Sequence, residues 1–218
     1  MSLSEKRAAI FDMDGVLVVN MKFHEEAFYE FGRRRGVEIT PEFFFKNITG
    51  STNERIMPRI FGDHISAEDI KSMSEEKEYI YREMYLPHLR ATEGLYPYLD
   101  FLKSERIGMA IASNAPMENI KFVADALGLD KYFSHMLNGL SVANPKPAPD
   151  MFLRCAELLG AAPHRSVVFE DAPGGIRGTH EAGMRAVALL TSHSKEELID
   201  AHLYVNDFTD ARLYDLWK

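Results

Sequence analysis

Apolar residues fall along this chain in two rhythms. Short unbroken runs occur at Ala8-Ala9-Ile10-Phe11, Ile107-Gly108-Met109-Ala110-Ile111-Ala112, Ser166-Val167-Val168-Phe169 and Ala186-Val187-Ala188-Leu189-Leu190. Each is too short for a helix and is bounded by polar residues or glycine, which predicts strands buried on both faces. His135 to Asn138 is a weaker strand candidate, and Leu203-Tyr204-Val205 fits an edge strand. Between the runs the spacing turns helical. It predicts helices over Leu95 to Ser104, Met117 to Leu127, Pro149 to Leu159 and Gly174 to Ala182, the last three closed by Gly128, Gly160 and Gly183. Strand alternating with helix predicts an α/β fold, a parallel sheet covered on both faces.

Residues 21 to about 90 break that alternation. His24 to Arg35, Thr52 to Phe61 and Ala67 to Tyr85 carry helical spacing with no clear strand between them. Pro41 to Phe45 is too short and too aromatic to assign from periodicity. The expected organisation is a core domain built from 1–19 and 91–218, with a small helical domain over 20–90 inserted after the first strand. The turning points fall near Val19-Asn20 and Ala91-Gly94. There is no internal repeat.

Composition narrows the picture. In 218 residues, 46% are hydrophobic, enough for a substantial core. A formal charge of −8 gives no general attraction for nucleic acid. It would also repel an anionic substrate at long range, so attraction for a phosphate must be local: a metal, a lysine or a helix N-terminus. Cys155 is the only cysteine, which excludes an internal disulfide and a multi-cysteine metal site. It sits in Leu153-Arg154-Cys155-Ala156, read here as helix core, and a reducing cytosol fits best. No window approaches the roughly 18 apolar residues of a membrane span. Met1 to Arg7 is polar, with no signal-peptide pattern, so the expected location is cytoplasmic and away from membranes.

Polar groups cluster at the ends of three predicted strands: Asp12 and Asp14, then Ser113, then Glu170 and Asp171. Ligands of open parallel sheets bind outside the carboxyl ends of the strands, so this convergence points to a site. Asp12 and Asp14 stand two apart, on one side of an extended chain. Two close carboxylates repel unless a proton or cation offsets them, and oxygen-only clusters suit a hard ion such as magnesium. Asp171, with Glu170 beside it, can complete such a set, and Gly15 lets the chain turn close to a ligand. Asp-Met-Asp-Gly alone equally fits a turn after a strand. Ser113-Asn114 reads as an N-cap for the helix that follows Pro116, a place that is also an anion site. Lys146 sits in Asn144-Pro145-Lys146-Pro147-Ala148-Pro149-Asp150, where three prolines stiffen the backbone and make a placed cation of it.

These segments together resemble the four motifs of the haloacid dehalogenase superfamily. Phe11-Asp12-Met13-Asp14-Gly15-Val16-Leu17 is similar to the first and Ile111-Ala112-Ser113-Asn114 to the second. Lys146-Pro147-Ala148-Pro149-Asp150 is similar to the third, and Glu170-Asp171-Ala172-Pro173-Gly174-Gly175-Ile176 to the fourth. All four occur in order and span nearly the whole chain. The insertion after the first motif resembles the helical cap of the subfamily that includes β-phosphoglucomutase and phosphoglycolate phosphatase. The resemblance implies a Rossmann-like core and phosphoryl transfer with Mg2+ as cofactor. It implies Asp12 as nucleophile and Asp14 as general acid and base. Magnesium would lie on Asp12, Asp14 (through its backbone carbonyl) and Asp171, supported by Glu170, and Ser113, Asn114 and Lys146 would bind the phosphoryl oxygens. The dehalogenases of this superfamily lack the second aspartate and need no metal; Asp14 and the Glu170-Asp171 pair argue for phosphorus over carbon–halogen chemistry.

A mutase of this type needs a cap cation for the second phosphate of a sugar bisphosphate. In Thr49-Gly50-Ser51-Thr52-Asn53-Glu54-Arg55 the arginine comes later than in that mutase, and the loop is more like those of simple phosphatases. The expected function is therefore a phosphatase for a small, sugar-phosphate-like metabolite, with a mutase as the alternative. A non-catalytic phosphate-binding regulator on the same fold would be favoured had Asp12, Asp14, Lys146 or Asp171 been replaced. His24 would either orient the acid/base aspartate, as in relatives, or simply fill the interface between cap and core. Lys46, Asn47, Gly50, Thr52, Asn53, Lys77 and Arg82 are candidate cap contacts to substrate, while the run Glu75-Glu76-Lys77-Glu78 reads as solvated surface. Expected partners are a small phosphorylated substrate and neither nucleic acid nor membrane, in a monomer or weak homodimer.

Overall fold

The computed structural model describes residues 6–49 and 51–218. By their contacts they form two compact units: Asn20–Leu89 is one, and the segments before Asn20 and from Arg90 onward form the other.

The larger unit is organised by a six-stranded sheet. Its strands are β1 (Ala8–Phe11), β2 (Gly108–Ala112), β3 (His135–Leu137), β4 (Ser166–Glu170), β5 (Arg185–Leu189) and β6 (Leu203–Val205). All neighbours pair in parallel, in the order β3-β2-β1-β4-β5-β6. Every residue of β1 is fully buried, as its unbroken apolar run predicts for a central parallel strand. The chain steps from β1 outward to β2 and β3, then returns to the other side of β1 with β4. The order therefore reverses between β1 and β4, the place where such sheets bind ligands.

Among the described residues of 20–89 lie four α-helices: α1 (Met21–Arg34), α2 (Pro41–Asn47), α3 (Asn53–Phe61) and α4 (Ala67–Tyr85). Helix α2 forms where periodicity gave no assignment. Its signals are local ones: Thr40 accepts a hydrogen bond from the Phe43 N–H, and Pro41 fills the first helical position, where a missing N–H costs nothing. Helix α4 begins at a capping box, with Ser66 and Asp69 bonding each other's backbone.

Five further helices belong to the sheet unit: α5 (Leu95–Ser104), α6 (Met117–Leu127), α7 (Asp150–Leu159), α8 (Pro173–Glu181) and the short α9 (Arg212–Asp215). Alternate strand residues reach opposite faces. Ile10, Ala110, Ala112 and Val168 pack with Met151, Phe152, Cys155 and Ala156 of α7. Phe11 and Phe169, register partners on β1 and β4, point the other way and stack at 4.5 Å, with Tyr98 and Phe208 against them. Cys155 is fully buried, and burial pushes its thiol up to about 12, so it is an inert core residue. Both faces are thus covered and only the strand ends open toward chemistry.

Candidate active site

The β1 ladder continues one step past the strand, where the Asp12 N–H donates to the Phe169 carbonyl at 2.9 Å. The chain then folds into a tight loop, in which the Leu17 N–H reaches Met13 O and the Gly15 N–H reaches Val18 O. Gly15 stands at φ +77°, and a Cβ there would lie 1.8 Å from Asp171 Oδ2. Only glycine fits that conformation and that approach. Opposite, β4 ends on Glu170, and Asp171 follows. Helix α8 presents Gly175 to Glu170, where a Cβ would sit 2.0 Å from the carboxyl group. The two glycines leave room for two carboxylates at neighbouring strand ends.

Lys146 enters from the loop before α7. Asp150 accepts from the backbone and side-chain nitrogens of Asn144, the Ala148 N–H closes on Pro145 O, and Asn114 Nδ2 donates to Lys146 O at 3.1 Å. This frame aims the ammonium inward. Its Nζ lies 2.9 Å from Asp12 Oδ1 and 2.6 Å from Glu170 Oε1, and 4.9 Å from the centre of the Phe152 ring. The other oxygen of Glu170 accepts from the N–H groups of Asp171 and Ala172 at the start of α8. Glu170 is thus fully engaged and its side chain is 1% exposed, whereas that of Asp12 is 14% exposed. Of these two carboxylates, Asp12 is the one a substrate can reach.

Asp12, Glu170 and Asp171 bring ligand oxygens within 4.8 Å of one another. Three carboxylates face one ammonium. Burial, with Glu170 and Asp14 nearby, pushes Asp12 up to about 7 against the pull of Lys146. Burial and the charges of Glu170 and Asp12 hold Asp171 well above the carboxylate range. Burial alone would lower Lys146, but Asp12 and Glu170 together outweigh it and raise it. An all-oxygen set with surplus negative charge, opened by a glycine where a Cβ would intrude, fits a hard divalent cation.

Ser113 is buried at the end of β2, but it is not the helix cap that its sequence position suggests. Its hydroxyl accepts from the Ala115 N–H, and Pro116, with no side-chain bond, occupies the cap position of α6. The serine closes a local turn before the helix instead, as its short hydroxyl readily does. A fourth strand end, that of β5, also reaches the acids. After β5 come Thr191, Ser192 and His193, which bond to Gly15 and Asp171. The signal was available: three consecutive polar side chains following a buried apolar strand.

The remaining candidates lie in the helical unit. The His24 ring stacks on Tyr81 at 3.9 Å, its Nε2 3.5 Å from Asn20 Nδ2, and Asn20 Nδ2 donates to Tyr81 Oη. Lys46 is exposed and Arg82 half-buried. Asn47 Nδ2 donates to Phe43 O, and Thr52 precedes α3 without a side-chain cap bond. Gly50 lies outside the described residues. Glu75 is exposed and Glu76 half-buried, but the second half of that acidic run is not surface. Lys77 and Glu78 are buried and paired with each other, Asn53 Nδ2 donates to Glu78 at 2.7 Å, and Lys77 Nζ lies 4.6 Å from the centre of the Phe28 ring. Burial would raise Glu78, but Lys77, His24 and Asn53 outweigh it and bring it down to about 2.

Comparison with known proteins gives the family. Residues 6–183 match the haloacid dehalogenase-like hydrolase family. The chain is 32% identical over 185 residues to the phosphorylated carbohydrates phosphatase of Thermotoga maritima, covering 83% of each chain. It is 27% identical over 211 residues to the chloroplastic 5-amino-6-(5-phospho-D-ribitylamino)uracil phosphatase of Arabidopsis thaliana, covering 96% of this chain and 57% of that longer protein. The crystal structure of β-phosphoglucomutase from Clostridium difficile superposes with a TM-score of 0.83 at 25% identity, over 96% of this chain and 97% of that one. The chain belongs to the haloacid dehalogenase-like hydrolase family. Among the described residues no helix is long and apolar enough to cross a membrane.

Proposed function

We propose that the protein is a magnesium-dependent phosphatase for a small phosphorylated metabolite of sugar-phosphate type, working through an aspartyl-phosphate on Asp12. The observation that carries this reading is the contact of Lys146 with both Asp12 and Glu170 beside Asp171: a reachable carboxylate, a fixed cation and a surplus of acid at one sheet end. Asp12 attacks phosphorus and the bond to the leaving oxygen breaks, with Asp14 giving that oxygen its proton. Asp14 then takes a proton from water, the water oxygen attacks phosphorus, and the Asp12 carboxylate is released. Lys146, Ser113 and Asn114 hold the phosphoryl oxygens. Magnesium would be held by Asp12, the Asp14 carbonyl and Asp171, with Glu170 behind them, and when bound supplies positive charge for the phosphoryl group.

A mutase is the second reading, favoured by the likeness to β-phosphoglucomutase. Water as acceptor is preferred because Arg55 comes later in its loop than the arginine of that mutase, and two further cations of the helical unit are engaged within it. Lys77 is spent on Glu78, and Arg59 donates to Asn47 O and Ser51 Oγ. The test is hydrolysis of an aryl phosphate and a panel of phosphorylated metabolites, pyrophosphate included, with Mg2+ or with EDTA. Metal-dependent release of phosphate supports the proposal; its absence refutes it. Conversion of β-glucose 1-phosphate, primed with bisphosphate, faster than any hydrolysis would make the protein a mutase.

A further inference from the structure

The segment after β5 is bound to both halves of the acid cluster. Thr191 Oγ1 donates to Gly15 O at 2.5 Å. Ser192 Oγ lies 2.5 Å from Asp171 Oδ2, 3.0 Å from Asp171 O and 2.8 Å from His193 Nδ1, and His193 Nδ1 lies 2.9 Å from Asp171 O. A hydroxyl has one proton, and the carbonyl and carboxylate oxygens can only accept. The contact between Nδ1 and the Asp171 carbonyl requires a proton on Nδ1, shared with Ser192 Oγ. The serine proton is then left for Asp171 Oδ2. Three of the four contacts then carry a proton, and the longest, the 3.0 Å approach of Ser192 Oγ to the Asp171 carbonyl, does not.

We infer that Ser192 is a positioning residue for metal binding, its hydroxyl proton aimed by His193 so that one oxygen of Asp171 is fixed and the other is left for the cation. The inference rests on the proposed magnesium site. A hydrogen bond to one carboxylate oxygen restricts rotation of the carboxyl group and so orients it. Gly15, which leaves room for Oδ2, is held by Thr191 at the same place, so the three consecutive side chains clamp the loop of Asp12 and Asp14 against the carboxylate of Asp171. Outer partners of metal ligands act in this way, and losing one weakens metal binding by about 10- to 100-fold.

The experiment is Mn2+ binding to the full-length protein without substrate, followed by the EPR signal of the free ion, with Mg2+ as competitor. Ser192→Ala should bind the metal about 10- to 100-fold more weakly while melting within a few degrees of the unsubstituted protein, and Ser192→Thr should restore most of the affinity. Equal affinity in Ser192→Ala overturns the inference and leaves the phosphatase reading standing. Failure of the unsubstituted protein to take up either metal overturns the metal site, and the inference with it. A readout that needs no variant is 15N NMR of His193. A proton on Nδ1 supports the arrangement, and the tautomer with hydrogen on Nε2 alone overturns it.

Discussion

Among the described residues two lysines, Lys77 and Lys146, lie buried, and their surroundings differ. Lys77 pairs with Glu78, which also accepts from Asn53 and feels the charge of His24; attraction outweighs burial and Glu78 is held at about 2. Lys146 meets two carboxylates with a third close by, the charges do not cancel, and Asp12 is pushed up to about 7. The first arrangement is closed and serves to hold helices together. The second carries unspent negative charge at a strand end, which is unfavourable for folding and useful for binding a cation. Burial of a lysine by itself distinguishes neither; the count of its partners does.

The sharpest way to separate the two is Asp12→Asn. Turnover of an aryl phosphate should fall by at least about 10³-fold, because the attacking oxygen is lost. Urea unfolding should show stability equal to or above that of the unsubstituted protein, because one of the crowded carboxylates is gone. Substantial residual turnover would refute Asp12 as nucleophile. Lys77→Met should do the opposite kind of damage, costing about 3–5 kcal/mol of stability by removing the lysine from a buried Glu78, with most of it regained in Lys77→Met/Glu78→Gln. If Lys77→Met left stability intact, the closed pair would not be structural and the contrast would collapse. The smallest effect is one of pH. Glu78 is depressed in the folded protein, so its contribution is complete above its unfolded value near 4.5 and is lost as pH falls from there through about 2. Stability followed by circular dichroism should decline over that window, and less so in Lys77→Met/Glu78→Gln.

The sheet was legible because parallel strands buried on both faces write themselves as unbroken apolar runs, and the carboxyl ends of those runs announced Asp12, Ser113 and Glu170-Asp171. Helix α2 was not, since seven residues with three phenylalanines give no readable period, and its evidence lay in Thr40 and Pro41 instead. The Lys77-Glu78 pair was misread because a charged run normally means solvent; nothing local in Glu75-Glu76-Lys77-Glu78 marks which half turns inward. Ser113 has the chemistry of a helix cap, but only tertiary structure shows that it closes a turn instead. Thr191 to His193 escaped because their partners, Gly15 and Asp171, are far away in sequence.

One further consequence follows from the way the sheet unit ties off residues 16–18 and 91–92. Val18 bridges to Ala91, Thr92 N–H donates to Leu17 O and its hydroxyl to Val16 O, so the chain departs and returns through adjacent points that the sheet unit fixes by itself. Closing the ends of a long segment costs only slowly more as it lengthens, and here that closure is already made. The junction is a socket: the segment between residues 19 and 90 can be lengthened or shortened without reopening the sheet unit.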